Sequence, residues 1–174
     1  VDMFDMAEDK VRVITPDVGG GFGPKNQVYP EEMMVPLAAK LLGRPVKWVE
    51  DRREHFLTTT QERDQVWEVS VAVDENGRIL GLKGHLVHDA GAYLPWGIIM
   101  PYISASTLPG PYRVPSYRLE VSVAFTNMVA TTPMRGAGRP QAVFVMERLV
   151  DLIARELALD PAAVRDRNFI AAAD

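Results

Sequence analysis

Apolar and polar residues alternate one by one in two stretches of this chain, and apolar residues recur at helical spacing in a third. Trp67, Val69, Val71 and Val73 alternate with Glu68, Ser70 and Ala72, the period of a half-buried strand. Asp74-Glu75-Asn76-Gly77 is a hairpin turn signal, and Ile79 to His88 reads as the return strand. Tyr117, Leu119, Val121, Val123 and Phe125 alternate with Arg118, Glu120, Ser122 and Ala124 and predict a further strand. Between about Gln141 and Leu157 the period changes. Ala142, Met146, Leu149, Val150, Ile153 and Leu157 share one helical face, with Asp151 and Arg155 spaced as an i,i+4 pair.

Punctuation residues place the remaining elements. Pro30 suits a first helical position, Glu31 and Glu32 suit the dipole, and Gly43 with Pro45 marks the stop, so a helix is expected over roughly 30–42. Pro36 lies inside it and should delay its start or bend it. Val11-Arg12-Val13-Ile14 and Val46-Lys47-Trp48-Val49 read as short strands, and Asp51 to His55 as a loop or helical turn. Gly91 to Tyr112 reads as a long loop without periodicity, of the kind that often carries function. Asp160-Pro161, an N-cap and first-position proline, opens a last helix to about Phe169. The order of elements predicts an α+β fold: a mixed, mainly antiparallel sheet packed with helices, with residues 1–174 as one domain.

Composition narrows the function. A net charge of −4 argues against a nucleic-acid partner, because a phosphate backbone asks for a basic face. No cysteine is present, which excludes disulfides, zinc–thiolate sites and cysteine-held iron–sulfur clusters in this segment. No apolar run reaches membrane-spanning length, and a cytoplasmic protein is expected.

Candidate chemistry concentrates in two glycine loops, each feeding a helix. The first is Gly19-Gly20-Gly21-Phe22-Gly23-Pro24-Lys25; the second is Met134-Arg135-Gly136-Ala137-Gly138-Arg139-Pro140-Gln141. Glycines let the backbone take φ > 0 and let a ligand approach the main chain, and a helix start offers unpaired N–H groups to an anion. Arg135 and Arg139 add planar, multi-donor recognition of oxyanions. Two arginines at a helix start oppose its dipole, so an anion or a carboxylate is expected beside them. The pair of loops therefore describes a cradle for a phosphate-bearing ligand, and the two are expected to be neighbours in space. Glycines serving only as tight turns are the competing reading. His85 and His88, three apart on a strand, face opposite sides and cannot chelate one metal. With His55 they read as satisfied or solvated histidines, and no residue is assigned as a metal ligand.

At this point the residues carry a resemblance. Val18-Gly19-Gly20-Gly21-Phe22-Gly23-Pro24-Lys25, with Val28-Tyr29-Pro30-Glu31-Glu32, resembles the first molybdopterin loop of the xanthine oxidase superfamily. His88-Asp89-Ala90-Gly91-Ala92-Tyr93 and Gly110-Pro111-Tyr112 resemble its middle portion. Met134 to Ala142 resembles its second cofactor loop, and Arg165-Asp166-Arg167-Asn168-Phe169-Ile170 the helix end that follows. Within the superfamily the chain is most similar to large subunits of aerobic carbon monoxide dehydrogenases.

The resemblance implies a fragment of the molybdopterin-binding part of a molybdenum hydroxylase large subunit. Water would supply the oxygen, and electrons would leave through iron–sulfur clusters and FAD on partner subunits, not on this chain. It implies molybdopterin, with the cytosine dinucleotide form among its variants, held by Gly20, Gly21, Phe22, Gly23, Arg135, Gly136, Ala137 and Gly138. Arg135 would border the metal pocket as the catalytic residue, stabilising oxyanion character. The partners implied are the remainder of the large subunit, the iron–sulfur and FAD subunits and a small-molecule substrate. Copper-binding members place a cysteine where this sequence has Gly136, so carbon monoxide is not the expected substrate. Purine-oxidising members carry a glutamate where this sequence has Asn26. An aldehyde or N-heterocycle is expected instead. The family's catalytic glutamate lies in another part of the large subunit, so these 174 residues alone are expected to be inactive. The rival reading is a non-enzymatic module for a nucleotide or other phosphorylated ligand.

Overall fold

The computed structural model describes residues 4–171, apart from Arg63 and Pro95. The chain divides into two compact units, Val1–Thr59 and Thr60–Asp174.

In the first unit, helix α1 spans Pro30–Leu42 and helix α2 spans Arg52–Thr58. Glu32 reaches back from the first turn of α1 to accept the Tyr29 N–H at 2.8 Å, and Gly43 ends the helix in the left-handed region (φ 61°). Pro36 stands within α1. The charged run that the sequence left between loop and turn is α2. It is started by a reciprocal capping box in which Asp51 accepts the Glu54 N–H and Glu54 the Asp51 N–H, each at 2.8 Å. Neither helix buries a residue. Val11–Ile14 and Val46–Val49, expected as strands, form no ladder. Both runs are rich in β-branched residues, but Val13, Ile14 and Val49 are exposed, and β-propensity without a neighbouring strand produces no sheet.

The second unit holds a three-stranded sheet of order β1-β2-β3, with β1 at Gln65–Val73, β2 at Ile79–Asp89 and β3 at Tyr117–Ala124. Strands β1 and β2 form the expected hairpin, antiparallel, with Gln65 opposite His88. Asp74 closes its turn by accepting the N–H groups of Asn76 and Arg78. Strands β2 and β3 are parallel, so the sheet is mixed, with one ladder of each kind. The fold is α+β.

Helix α3 (Ile99–Thr107) lies inside the stretch expected as a long loop. Its Pro101 sits in the first turn, where a proline costs no intrahelical bond, and Met100, Pro101 and Ser104 are buried. Helix α4 spans Arg139–Glu156 and buries Ala142, Met146, Leu149, Val150, Ile153 and Ala154. These residues pack with Ile79, Leu82, Leu108, Tyr112 and Val164, and Trp67, Val69, Val71 and Val73 of β1 cover them. The apolar stripe of α4 and the inward face of the hairpin are therefore one core.

Helix α5 (Pro161–Asn168) begins at Asp160, whose carboxylate accepts the Ala163 N–H at 2.9 Å. The expected Asp151–Arg155 pair does not form. Asp151 instead receives Arg165 of α5 at 2.9 Å, and Arg165 also donates to Glu147 at 2.8 Å. Tyr112 donates to the same Glu147 carboxylate at 2.6 Å. Burial and that carboxylate push the Tyr112 phenol up to about 12. Asn168, almost fully buried, donates to Gly77 O and Val164 O and accepts the Ile79 N–H, each at 2.8 Å. One side chain thus fastens α5 to the hairpin.

Candidate functional site: two glycine loops

The first loop lies in the first unit. Gly20 and Gly23 take positive φ (120° and 108°), and Phe22 between them is also left-handed at 52°. A non-glycine residue held there costs roughly 1–3 kcal/mol, and such positions cluster at functional sites. The Phe22 ring folds over Gly20, where an added Cβ would lie 2.4 Å from it. Phe22 remains more than half exposed. Gly19 and Gly21 behave differently: their φ values are not in the left-handed region, a Cβ on Gly19 would meet nothing within 4 Å, and one on Gly21 only Lys25 at 3.9 Å. Neither torsion nor contact among the described residues requires a glycine at either position.

The second loop lies in the second unit, between β3 and α4. Gly136, Ala137 and Gly138 take φ of 116°, 50° and 86°. The Ala137 N–H donates to Met134 O at 3.1 Å and the Arg139 N–H to Gly136 O at 3.2 Å. A Cβ on Gly136 would strike the Pro140 ring at 2.7 Å, and one on Gly138 the Met100 carbonyl oxygen at 2.6 Å. Gly138 is therefore the point at which the loop touches α3. Its carbonyl accepts the Ser104 hydroxyl at 3.0 Å and its N–H donates to Glu62 Oε1 at 3.1 Å. Glu62 thus brings a carboxylate oxygen to the backbone of this helix start.

Arg139 turns its guanidinium back on Gly136 O at 3.4 Å. Gln141, in the first turn of α4, has both amide atoms shut off from solvent, and neither has a hydrogen-bond partner among the described residues. A buried amide in that state lacks about 1–3 kcal/mol that a partner would restore. Gln141 also lines a groove of about 590 Å³ with Gln65, Trp67, Phe144 and Arg148.

The predicted site residues thus fall in two groups, Gly20–Gly23 in one unit and Arg135–Gly138 in the other. Glu62 and Ser104 carry no signal in the sequence, and Gln141 enters there only as the last residue of the second loop and the start of the helix that follows. The HDAGAY motif turns out to be architectural. Asp89 accepts the Gly91 N–H and the Thr126 hydroxyl, each at 2.7 Å, and a Cβ on Gly91 would sit 2.1 Å from Val129 O. His85 bonds Ser122 at 2.8 Å on the exposed side of the sheet, whereas His88 is fully buried on the other. Among the described residues no three His, Cys, Asp or Glu side chains are placed to hold a metal ion.

Residues 1–169 match the molybdopterin cofactor-binding domain. The chain belongs to that family, the molybdopterin-binding region of the xanthine oxidase superfamily. It is 38% identical to subunit gamma of the 6-hydroxypseudooxynicotine dehydrogenase complex of Paenarthrobacter nicotinovorans, over 99% of this chain and 22% of that protein. It is also 38% identical to the carbon monoxide dehydrogenase large chain of Hydrogenophaga pseudoflava, over 94% of this chain and 21% of that one. The crystal structure of quinoline 2-oxidoreductase from Pseudomonas putida 86 superposes with a TM-score of 0.86 at 40% identity, over 91% of this chain and 21% of that one. This molybdopterin-binding domain spans about a fifth of the length of these relatives. No helix among the described residues is long and apolar enough to cross a membrane.

Proposed function

We propose that this chain is the molybdopterin-binding portion of a molybdenum hydroxylase large subunit, acting on the carbon of an N-heterocycle or aldehyde with water as the oxygen source. The observation that carries the reading is the pair of glycines, Gly19 and Gly21, that nothing among the described residues explains. A glycine without a torsional or internal steric reason is one where something outside approaches the backbone. The second loop is compatible with the group as well: the buried Gln141 amide has an NH2 donor and a carbonyl acceptor that no described residue uses, the pairing that the donor–acceptor edge of a pterin or nucleobase would satisfy once the side chain turned toward it.

When bound, molybdopterin supplies the oxidising metal centre. The protein's part is to grip and to polarise. The Gly20–Gly23 and Arg135–Gly138 backbones hold the group, Phe22 borders it, and Arg135 stabilises oxyanion character at the reacting carbon. The cytosine dinucleotide form, FAD and iron–sulfur clusters on partner subunits, and a cytoplasmic assembly belong to this reading. These 174 residues by themselves are catalytically silent, because the general base comes from another part of the large subunit.

An N-heterocycle is favoured by three relatives named for nicotine derivatives, nicotine and quinoline. Carbon monoxide is disfavoured by Gly136, where copper-binding members place a cysteine: monovalent copper calls for a soft ligand such as thiolate. The test is metal and pterin analysis of the complete enzyme, with dye reduction on quinoline, nicotine, an aldehyde and carbon monoxide. Stoichiometric molybdenum with heterocycle-dependent reduction is expected. A nucleotide bound without molybdenum would replace this reading with that of a phosphate-ligand module, and carbon monoxide oxidation with stoichiometric copper would overturn the substrate assignment.

A further inference from the structure

A directional chain of hydrogen bonds runs from the sheet to the second loop. Trp67 Nε1–H can only donate, and it donates to Gln65 Oε1 at 3.0 Å. That fixes the Gln65 amide, so its Nε2 hydrogens face His88 Nδ1 at 3.3 Å and Ser104 Oγ at 3.2 Å. His88 Nδ1 is therefore an acceptor, and its Nε2–H donates to Thr131 Oγ1 at 3.3 Å. Ser104, with one lone pair accepting from Gln65, turns its O–H onto Gly138 O at 3.0 Å. His88 and Ser104 are fully buried, and Thr131 nearly so. Each group has the role its neighbour leaves it, and reversing any link would set donor against donor. Burial holds the His88 imidazole below its ordinary value against the opposing pull of Asp89 and Asp64, which agrees with the neutral ring the chain requires.

We propose that Gln65 is a positioning residue for the cofactor loop: through Ser104 it fixes the Gly138 carbonyl, and with it the loop that carries Arg135. The inference rests on the proposed function for what the loop holds, but not for the loop's order. Gln65 stands in register with Trp67 and Val69 on the inward face of β1, where an apolar residue would otherwise pack. A polar side chain kept there is doing something other than filling space.

The test is amide hydrogen exchange over residues 134–141 in the full-length protein, with molybdenum and pterin content measured on the same samples. Gln65→Met keeps the shape and removes the donor, and Ser104→Ala removes the next link. Each is expected to speed loop exchange about tenfold, the effect of one lost buried hydrogen bond, and to lower cofactor content. In the Ser104→Ala background, Gln65→Met should add less than about twofold, because both act through one path. His85→Asn, on the opposite side of the sheet, should change neither reading. Loop exchange within twofold of wild type in the single variants, or effects that multiply in the double variant, would overturn the proposal. If Gln65→Met does not fold, Ser104→Ala and His88→Leu decide alone, by the same thresholds. Wild-type protein without molybdopterin would defeat the functional reading while leaving the loop measurement to stand or fall separately.

Discussion

The two glycine loops look alike in sequence and are built on different principles. Both put a non-glycine residue, Phe22 or Ala137, into the left-handed region among glycines. In the second loop the glycines are demanded from within: Gly136 makes room for Pro140, and Gly138 presses on Met100 and Ser104 of α3. In the first loop Gly19 and Gly21 face open space, in a unit whose helices bury no side chain. One loop is preorganised by its own core. The other holds two glycines, Gly19 and Gly21, for which no described residue gives a reason. A glycine-rich motif therefore does not by itself say whether the backbone or the ligand needs the glycine; the space around the absent Cβ does.

That contrast can be broken at several points. The largest expected effect is on chemistry. Arg135→Ala in the complete enzyme should lower turnover by about 10²–10³-fold, the value of one preorganised donor to developing negative charge, with molybdenum content largely kept. Unchanged turnover at full loading would remove Arg135 from the catalytic role.

Next is stability. Gly138→Ala combines a φ of 86° with a Cβ 2.6 Å from a carbonyl oxygen, and should cost about 2–4 kcal/mol in cofactor-free protein, read by denaturant unfolding. Gly21→Ala should leave that stability within about 0.5 kcal/mol yet lower cofactor content. Equal stability losses in the two variants would erase the distinction between the loops.

The smallest effect concerns pH. The buried His88 has its folded-state value depressed below the ordinary 6.5, so the unfolded chain takes up the proton first. His88 then contributes stability that is present above pH 6.5 and is lost as the pH falls toward the folded value, at no more than about 1.4 kcal/mol per unit. His88→Asn should flatten this slope in an unfolding series from pH 7 to pH 5; a slope unchanged by the substitution would show that His88 does not carry it.

What was legible in the sequence was whatever local physics decides. The β1–β2 alternation, the Asp74–Gly77 turn, the stripe of α4 and the Asp160 cap each follow from a few neighbouring residues, and each formed. The glycine loops and the resemblance they carry were legible for the same reason. Helix α3 was hidden by Pro101 and by the flanking Gly97, Pro109 and Gly110, because its stability comes from burying Met100 and Ser104 against the rest of the fold. Val11–Ile14 and Val46–Val49 failed in the opposite direction, with strand propensity but no partner strand. Glu62, Ser104 and Gln141 matter only through tertiary neighbours. Gln65 did leave a trace: it is a polar residue in phase with Trp67 and Val69.

The Asn168 fastening also has a consequence in time. Its partners Ile79 and Gly77 lie 89 and 91 residues earlier in the chain. During synthesis, at roughly 5–20 residues per second, the hairpin emerges many seconds before the residue that locks it. Through that interval the N–H of Ile79 has no Asn168 to accept it, and the inward faces of β1 and β2 wait for α4 and α5. The nascent second unit is therefore most vulnerable to mispairing while its C-terminal helices are still in the ribosome.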